Sequence, residues 1–147
     1  MWRVFNSNTM LGPIALAITG GFYLFLAYEY IFNLSHLFNM FGFPLPALSG
    51  ATGGVITVLS RYLGICCFIF AFIFLHMIPQ KEKITSALRT STMVCACFGA
   101  AAAYRAFIEE GVSALAIEAT KKNVYLQCGL LALNVVAMTT TPKVKKA

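Results

Sequence analysis

Two histidines, five cysteines and a few scattered Arg and Glu residues are the chemically versatile side chains of this 147-residue chain. His36 and His76 are the obvious candidates for a bis-histidine haem, which needs two imidazoles facing each other at one membrane depth. The positions of the apolar runs around them put the two on opposite faces, so each reads as an interfacial hydrogen-bonding residue. Cys66, Cys67, Cys95, Cys97 and Cys128 form no C-x-x-C pair and no Cys/His cluster at zinc spacing. Inside an apolar helix a thiol behaves as a small hydrophobe, the role expected here, with lipidation or a disulfide as alternatives. No Gly-rich phosphate loop, Ser/His/Asp set, H-E-x-x-H or carboxylate pair at catalytic spacing exists, and Asp is absent altogether. No catalytic, metal-ligating or cofactor-binding residue is assigned from the sequence.

Charge at membrane depth is the better hint, because it is costly and usually paired. Glu29 leaves the first apolar run on the same side where Arg61 enters the second. Arg105 closes the third run on that side, with Glu109 one helical turn on. A cluster of Glu29, Arg61, Arg105 and Glu109 would line a polar site for a lipid headgroup or quinone head, or staple the helix ends. Arg side chains near helix ends also snorkel to the interface without any specific partner.

The elements that would hold these residues are dictated by composition. The chain is 59% hydrophobic and 11% charged, with a mean hydropathy of +0.78. Globular domains average about 25% charged residues, and a small soluble domain needs polar residues to cover its large relative surface. A soluble monomer is excluded. The net charge of +6 is scattered between apolar runs, not gathered on the basic face that a nucleic-acid binder needs.

A membrane helix takes about 20 apolar residues, and four runs approach that length. They are Leu11 to Phe32, Val55 to Ile78 (stopped by Pro79), Ile84 to Ile108, and Val124 to about Thr141. The third is softer, and the fourth is weakest because Gln127 and Asn134 interrupt it. The expected fold is all-α, a single-domain integral membrane four-helix bundle with both termini on one side. Charge supports that topology. One face receives Arg3, Lys81, Lys83, Arg89, Lys143, Lys145 and Lys146 against Glu82 alone. The other receives Arg61, Arg105, Lys121 and Lys122 against Glu29, Glu109, Glu110 and Glu118. The positive-inside bias puts the first face in the cytoplasm, matrix or stroma. Neither a signal peptide nor an Arg- and Ser-rich transit peptide is read at the start of the chain.

The Pro79–Lys83 turn is short enough to make runs two and three an antiparallel hairpin. The connection from Asn33 to Gly54 carries Phe38, Phe41, Phe43, Pro44 and Pro46 and is expected at the membrane interface. A short amphipathic turn is expected within Gly111–Asn123. Cys95, Gly99 and Ala103 recur every four residues in run three, and Gly20-Gly21 sits in run one; such smooth faces permit close helix approach.

Three segments carry a resemblance. They are Ile18-Thr19-Gly20-Gly21-Phe22-Tyr23-Leu24, Leu37-Phe38-Asn39-Met40-Phe41-Gly42-Phe43-Pro44, and Leu59-Ser60-Arg61-Tyr62-Leu63-Gly64-Ile65. In these and in layout the chain resembles the small four-helix DoxX-like membrane proteins. That resemblance implies an autonomous membrane protein, for which the charge placement offers a quinone or lipid site near Arg61 and Arg105. The shortage of reactive groups implies a different role: a non-catalytic accessory subunit of a large energy-transducing complex. A mitochondrial respiratory complex or ATP synthase of the inner membrane is the expected host, with a thylakoid photosystem behind it. The partners would be other membrane subunits and bound phospholipid such as cardiolipin, without nucleic acid.

Overall fold

The computed structural model of the chain describes residues 10–40, 50–109 and 114–141, and every regular element among them is helical. The order is α1 (Leu11–Phe32), α2 (Leu34–Met40), α3 (Gly50–Met77), α4 (Ile84–Phe107) and α5 (Ala114–Thr140), with one 3-10 turn at Lys81–Lys83. Helix α1 matches its expected range. Pro13 falls in its first turn, where a missing N–H costs little, and the Asn33 N–H still reaches Glu29 O before the chain breaks direction. Helix α3 starts five residues earlier than expected, at Gly50, whose φ of 70° favours glycine. Pro79 ends it, and tight turns at Ile78, Gln80 and Lys83 lead into α4.

Helix α5 departs most from expectation. It begins ten residues early, at Ala114, and absorbs most of the stretch read as an amphipathic turn. Alanines favour the helix there, Lys122 pairs with Glu118 one turn away, and the Thr120 hydroxyl donates back to Ala116 O. Of the interfacial connection after α1, residues 41–49, with Phe41, Phe43, Pro44 and Pro46, lie outside the described residues. Phe38 belongs to α2 and is buried.

Three helices are long and apolar enough to cross a membrane: α1, α3 and α5, with mean hydropathy of 1.6, 2.2 and 1.2 over their best windows. Helix α4 does not reach that level, because Thr85, Ser86, Arg89, Thr90, Ser91 and Thr92 fill its first half. The run expected to be weakest thus outranks the one before it.

Contacts give the directions. Gly64 of α3 packs against Ala27, Tyr30 and Ile31 of α1, and Gly20 of α1 against Leu75 and Ala71 of α3, so these helices are antiparallel. Along the other seam, Gly99 of α4 meets Gln127 of α5, and Asn134 of α5 lies at Cys95 of α4, again antiparallel. The closest pairings are α1 with α3 and α4 with α5, while α1 also touches both α4 and α5. The expected hairpin of α3 and α4 is therefore antiparallel but only lightly packed. Its partners are chosen by where side chains are small, because hydrocarbon solvent leaves close van der Waals packing as the main force between helices. At one end Gly12 abuts Ile84 and Thr141, which gathers the starts of α1 and α4 with the end of α5.

Candidate functional site

Thr120, Gln127 and Asn134 fall every seven residues along α5, and Thr141 follows at the same spacing just past its end. The first three are buried, as are Val124, Leu130 and Ala137 between them. This is a heptad seam with a polar residue at every seventh position. Facing it, α4 buries Leu88, Ser91, Cys95, Ala102 and Ala106, and α1 buries Leu16, Thr19 and Tyr23.

Polar groups meet where the three helices converge. The Tyr23 hydroxyl donates to Gln127 Oε1 at 3.3 Å and lies 3.9 Å from Cys95 Sγ. Asn134 Nδ2 donates to Thr19 Oγ1 at 3.1 Å and to Leu130 O at 2.8 Å, with Cys95 Sγ at 3.9 Å. Ser91 adjoins Cys95 one turn earlier on α4. Around the phenol, Phe22, Phe70, Phe74 and Phe98 place their rings 5.5–6.2 Å away. Tyr23 thereby touches all three other long helices: α3 through Phe70 and Phe74, α4 through Phe98 and Cys95, α5 through Gln127.

The amide ends are not fully used. Among the described residues, Gln127 Nε2 and Asn134 Oδ1 are buried without a hydrogen-bond partner. In the sequence alone Gln127 and Asn134 are only interruptions of an apolar run. Their seven-residue spacing with Thr120 and Thr141 is the signal that marks them as one buried face. Tyr23 carries no such mark among six tyrosines.

The four residues expected to form a charged cluster are placed differently. Glu29, in the last turn of α1, is buried and pairs with His36 Nδ1 of α2 at 2.7 Å. Arg61 is exposed on α3, so the ion pair runs to α2 and not to it. Arg105 is half-buried near the end of α4 with its Nε enclosed, and Glu109 beyond that helix is exposed. His36 closes α2 back onto α1, an interfacial hydrogen-bonding role. His76 is exposed and stacks on Phe72 one turn away on α3 (5.6 Å between centroids). The two imidazoles lie at different levels along α1, one at Glu29 and the other beside Leu75, which meets Gly20. All five thiols are free; Cys67 and Cys95 are buried, and Cys66, Cys97 and Cys128 are exposed.

The buried polar seam between α1, α4 and α5 is thus the most organised polar feature of the described residues, and the helices carrying it include two that can cross a membrane. No family model, curated protein or solved structure matches the chain.

Proposed function

We propose that this chain is a non-catalytic accessory subunit of a large energy-transducing membrane complex, and that it stabilises assembly through helix and lipid contacts. The observation that carries the reading is the one-sided cover of α3. Its main neighbour is α1, and Val55, Leu59, Tyr62, Ile65, Phe68 and Phe72 remain exposed along it. An extended apolar surface of this kind meets lipid or a partner helix, while the buried polar groups are kept on the opposite flank of α1.

In this reading α4 is the fourth span. Its hydroxyls support that: Thr90 and Thr92 donate to carbonyls one turn back, which lowers the cost of carrying them into hydrocarbon. The end bearing Gly12, Ile84 and Thr141 then faces the cytoplasm, matrix or stroma, where exposed Lys81 and Lys83 meet anionic headgroups. A respiratory complex or ATP synthase of the mitochondrial inner membrane is the proposed host and cardiolipin the proposed lipid. The thylakoid membrane is second. This choice of membrane rests on analogy with other small apolar subunits.

Solubilisation in mild detergent followed by native electrophoresis tests the role. The chain should migrate with a much larger assembly and bring other membrane subunits with it. Migration at monomer size would sink the subunit reading.

The placement of Arg61 in the first half of α3 and Arg105 in the last turn of α4 favours one competing reading, an autonomous DoxX-like protein that binds a quinone or lipid headgroup at Arg61 and Arg105. Under that reading the double variant Arg61→Leu, Arg105→Leu loses its co-purifying lipid or quinone. Undiminished retention removes it.

A further inference from the structure

We propose that Tyr28, Tyr62, Tyr104 and Tyr125 form a girdle that seats in the phospholipid headgroup layer and fixes how deep the bundle sits. The inference rests on the chain crossing a bilayer and not on the accessory-subunit reading. The four rings stand on α1, α3, α4 and α5 in turn, each more than half exposed. Helix contacts place them at one level. Tyr23 of α1 and Gly99 of α4 both meet Gln127 of α5, and both helices run antiparallel to α5. The same number of residues further on, Tyr28 and Tyr104 therefore arrive together beside Lys122. Tyr125 lies about 5 Å to one side of that level, at 1.5 Å per residue. Gly64 packs on Tyr30 and Ile31, which puts Tyr62 about 5 Å to the other side.

Charge changes at the same level. No Asp, Glu, Lys or Arg falls within residues 11–28, 62–80, 90–104 or 123–141. On each helix the first charge beyond that apolar stretch adjoins the girdle: Glu29 follows Tyr28, Arg61 precedes Tyr62, Arg105 follows Tyr104, and Lys122 lies one turn before Tyr125. Residues 11–28 span about 26 Å of helix, close to a hydrocarbon thickness of about 30 Å. Tyrosine suits such a boundary, because its ring is apolar and its hydroxyl stays wet. Lys121 Nζ, at this level too, sits over the Phe107 ring 5.5 Å from its centroid. A protein partner would need the tyrosines on one side. Helices α3 and α5 each pack on α1 and barely on one another, so Tyr62 and Tyr125 stand apart. At this depth Thr52 on α3 projects about 15 Å beyond Tyr62, and the exposed Cys97 and Cys128 lie among acyl chains.

The test uses the full chain in phospholipid nanodiscs with fluorotyrosine in place of tyrosine, each fluorine resonance being assigned by its Tyr→Phe variant. Tyr28, Tyr62, Tyr104 and Tyr125 should lose more signal to a nitroxide on the lipid headgroup than to one at the end of an acyl chain. Equal or greater loss to the chain-end nitroxide at any of the four, or no loss to either, overturns the girdle. In the same nanodiscs an impermeant maleimide should modify Thr52→Cys and spare Cys97 and Cys128, as read by peptide mass mapping. Any other pattern overturns the depth.

Discussion

Tyr23 on α1 and Gln127 on α5 stand 104 positions apart in the chain, yet the tyrosine hydroxyl donates to the glutamine amide oxygen across 3.3 Å. Both side chains are enclosed. The bond fastens the first long helix to the last inside the packed helices. Tyr23→Phe keeps the ring against Phe70, Phe74 and Phe98 and removes only the hydroxyl. Interhelical hydrogen bonds in membranes average about 0.6 kcal/mol and reach about 1.7 kcal/mol, and the loss should fall in that range in detergent-titrated unfolding. Gln127→Leu on the Tyr23→Phe background should cost less than the sum of the single changes, because no amide remains stranded. Strict additivity would show that the bond contributes nothing.

Gly64 and Gly21 make a contrasting pair. A methyl group at Gly64 would come within 2.8 Å of Tyr30 Cβ and Ile31 Cγ1, and 3.3 Å of Ala27 O. Overpacking of that kind costs about 1–3 kcal/mol, so Gly64→Ala should weaken the α1–α3 contact and lower the melting temperature. Gly21 has nothing within 4 Å of its notional Cβ, and Gly21→Ala should be neutral or slightly stabilising through helix propensity. Equal melting temperatures for the two variants would remove the proposed α1–α3 approach.

The buried carboxylate of Glu29 makes the His36 pair asymmetric. Its side chain is 5% exposed and that of His36 is 54% exposed. His36→Ala leaves a buried carboxylate without its partner, so it should destabilise the chain more than Glu29→Gln, which removes the charge itself. Thermal unfolding of the two variants in the same detergent measures the difference, and the reverse order contradicts the burial of Glu29.

Thiol accessibility should split three to two. Cys66, Cys97 and Cys128 are exposed, and Cys67 and Cys95 are buried. In mild detergent, N-ethylmaleimide should add to the first three well before the other two, with all five modified after denaturation. Intact-mass spectra read the adduct count directly, and early modification of Cys95 would break the α1–α4–α5 seam as described.

Topology offers a fifth check, on the proposal that α4 crosses the bilayer. With four spans, Lys81→Cys and Thr141→Cys are labelled by an impermeant maleimide from one side, and Glu118→Cys from the other. If α4 lies in the interface, Lys81→Cys and Glu118→Cys are labelled from the same side.

Much of this molecule is written in local composition. The long apolar runs made helices α1 and α3 legible, and Pro79 marked where α3 stops, because a membrane demands uninterrupted apolar surface and proline breaks the hydrogen-bond ladder. The beginning of α5 was not legible. Ala114 to Asn123 mixes Glu118, Lys121 and Lys122 with alanines, and only burial of Ala116 and Thr120 shows that one face of that stretch joins the seam. The softness of α4 was visible in its Ser and Thr content.

Partner choice lay beyond the sequence. Glu29 lies in the last turn of α1, and a fold-back of α2 gives it His36 as its partner rather than Arg61. Gln127 and Asn134 look like flaws in a membrane span until α1 and α4 are packed against them. The sequence by itself determined that this is an apolar helical chain and where most of its helices run, because hydropathy and helix-breaking act on neighbours in the chain. The tertiary structure alone decided which polar groups meet, because hydrogen bonds and close glycine contacts depend on how helices far apart in sequence are turned toward one another.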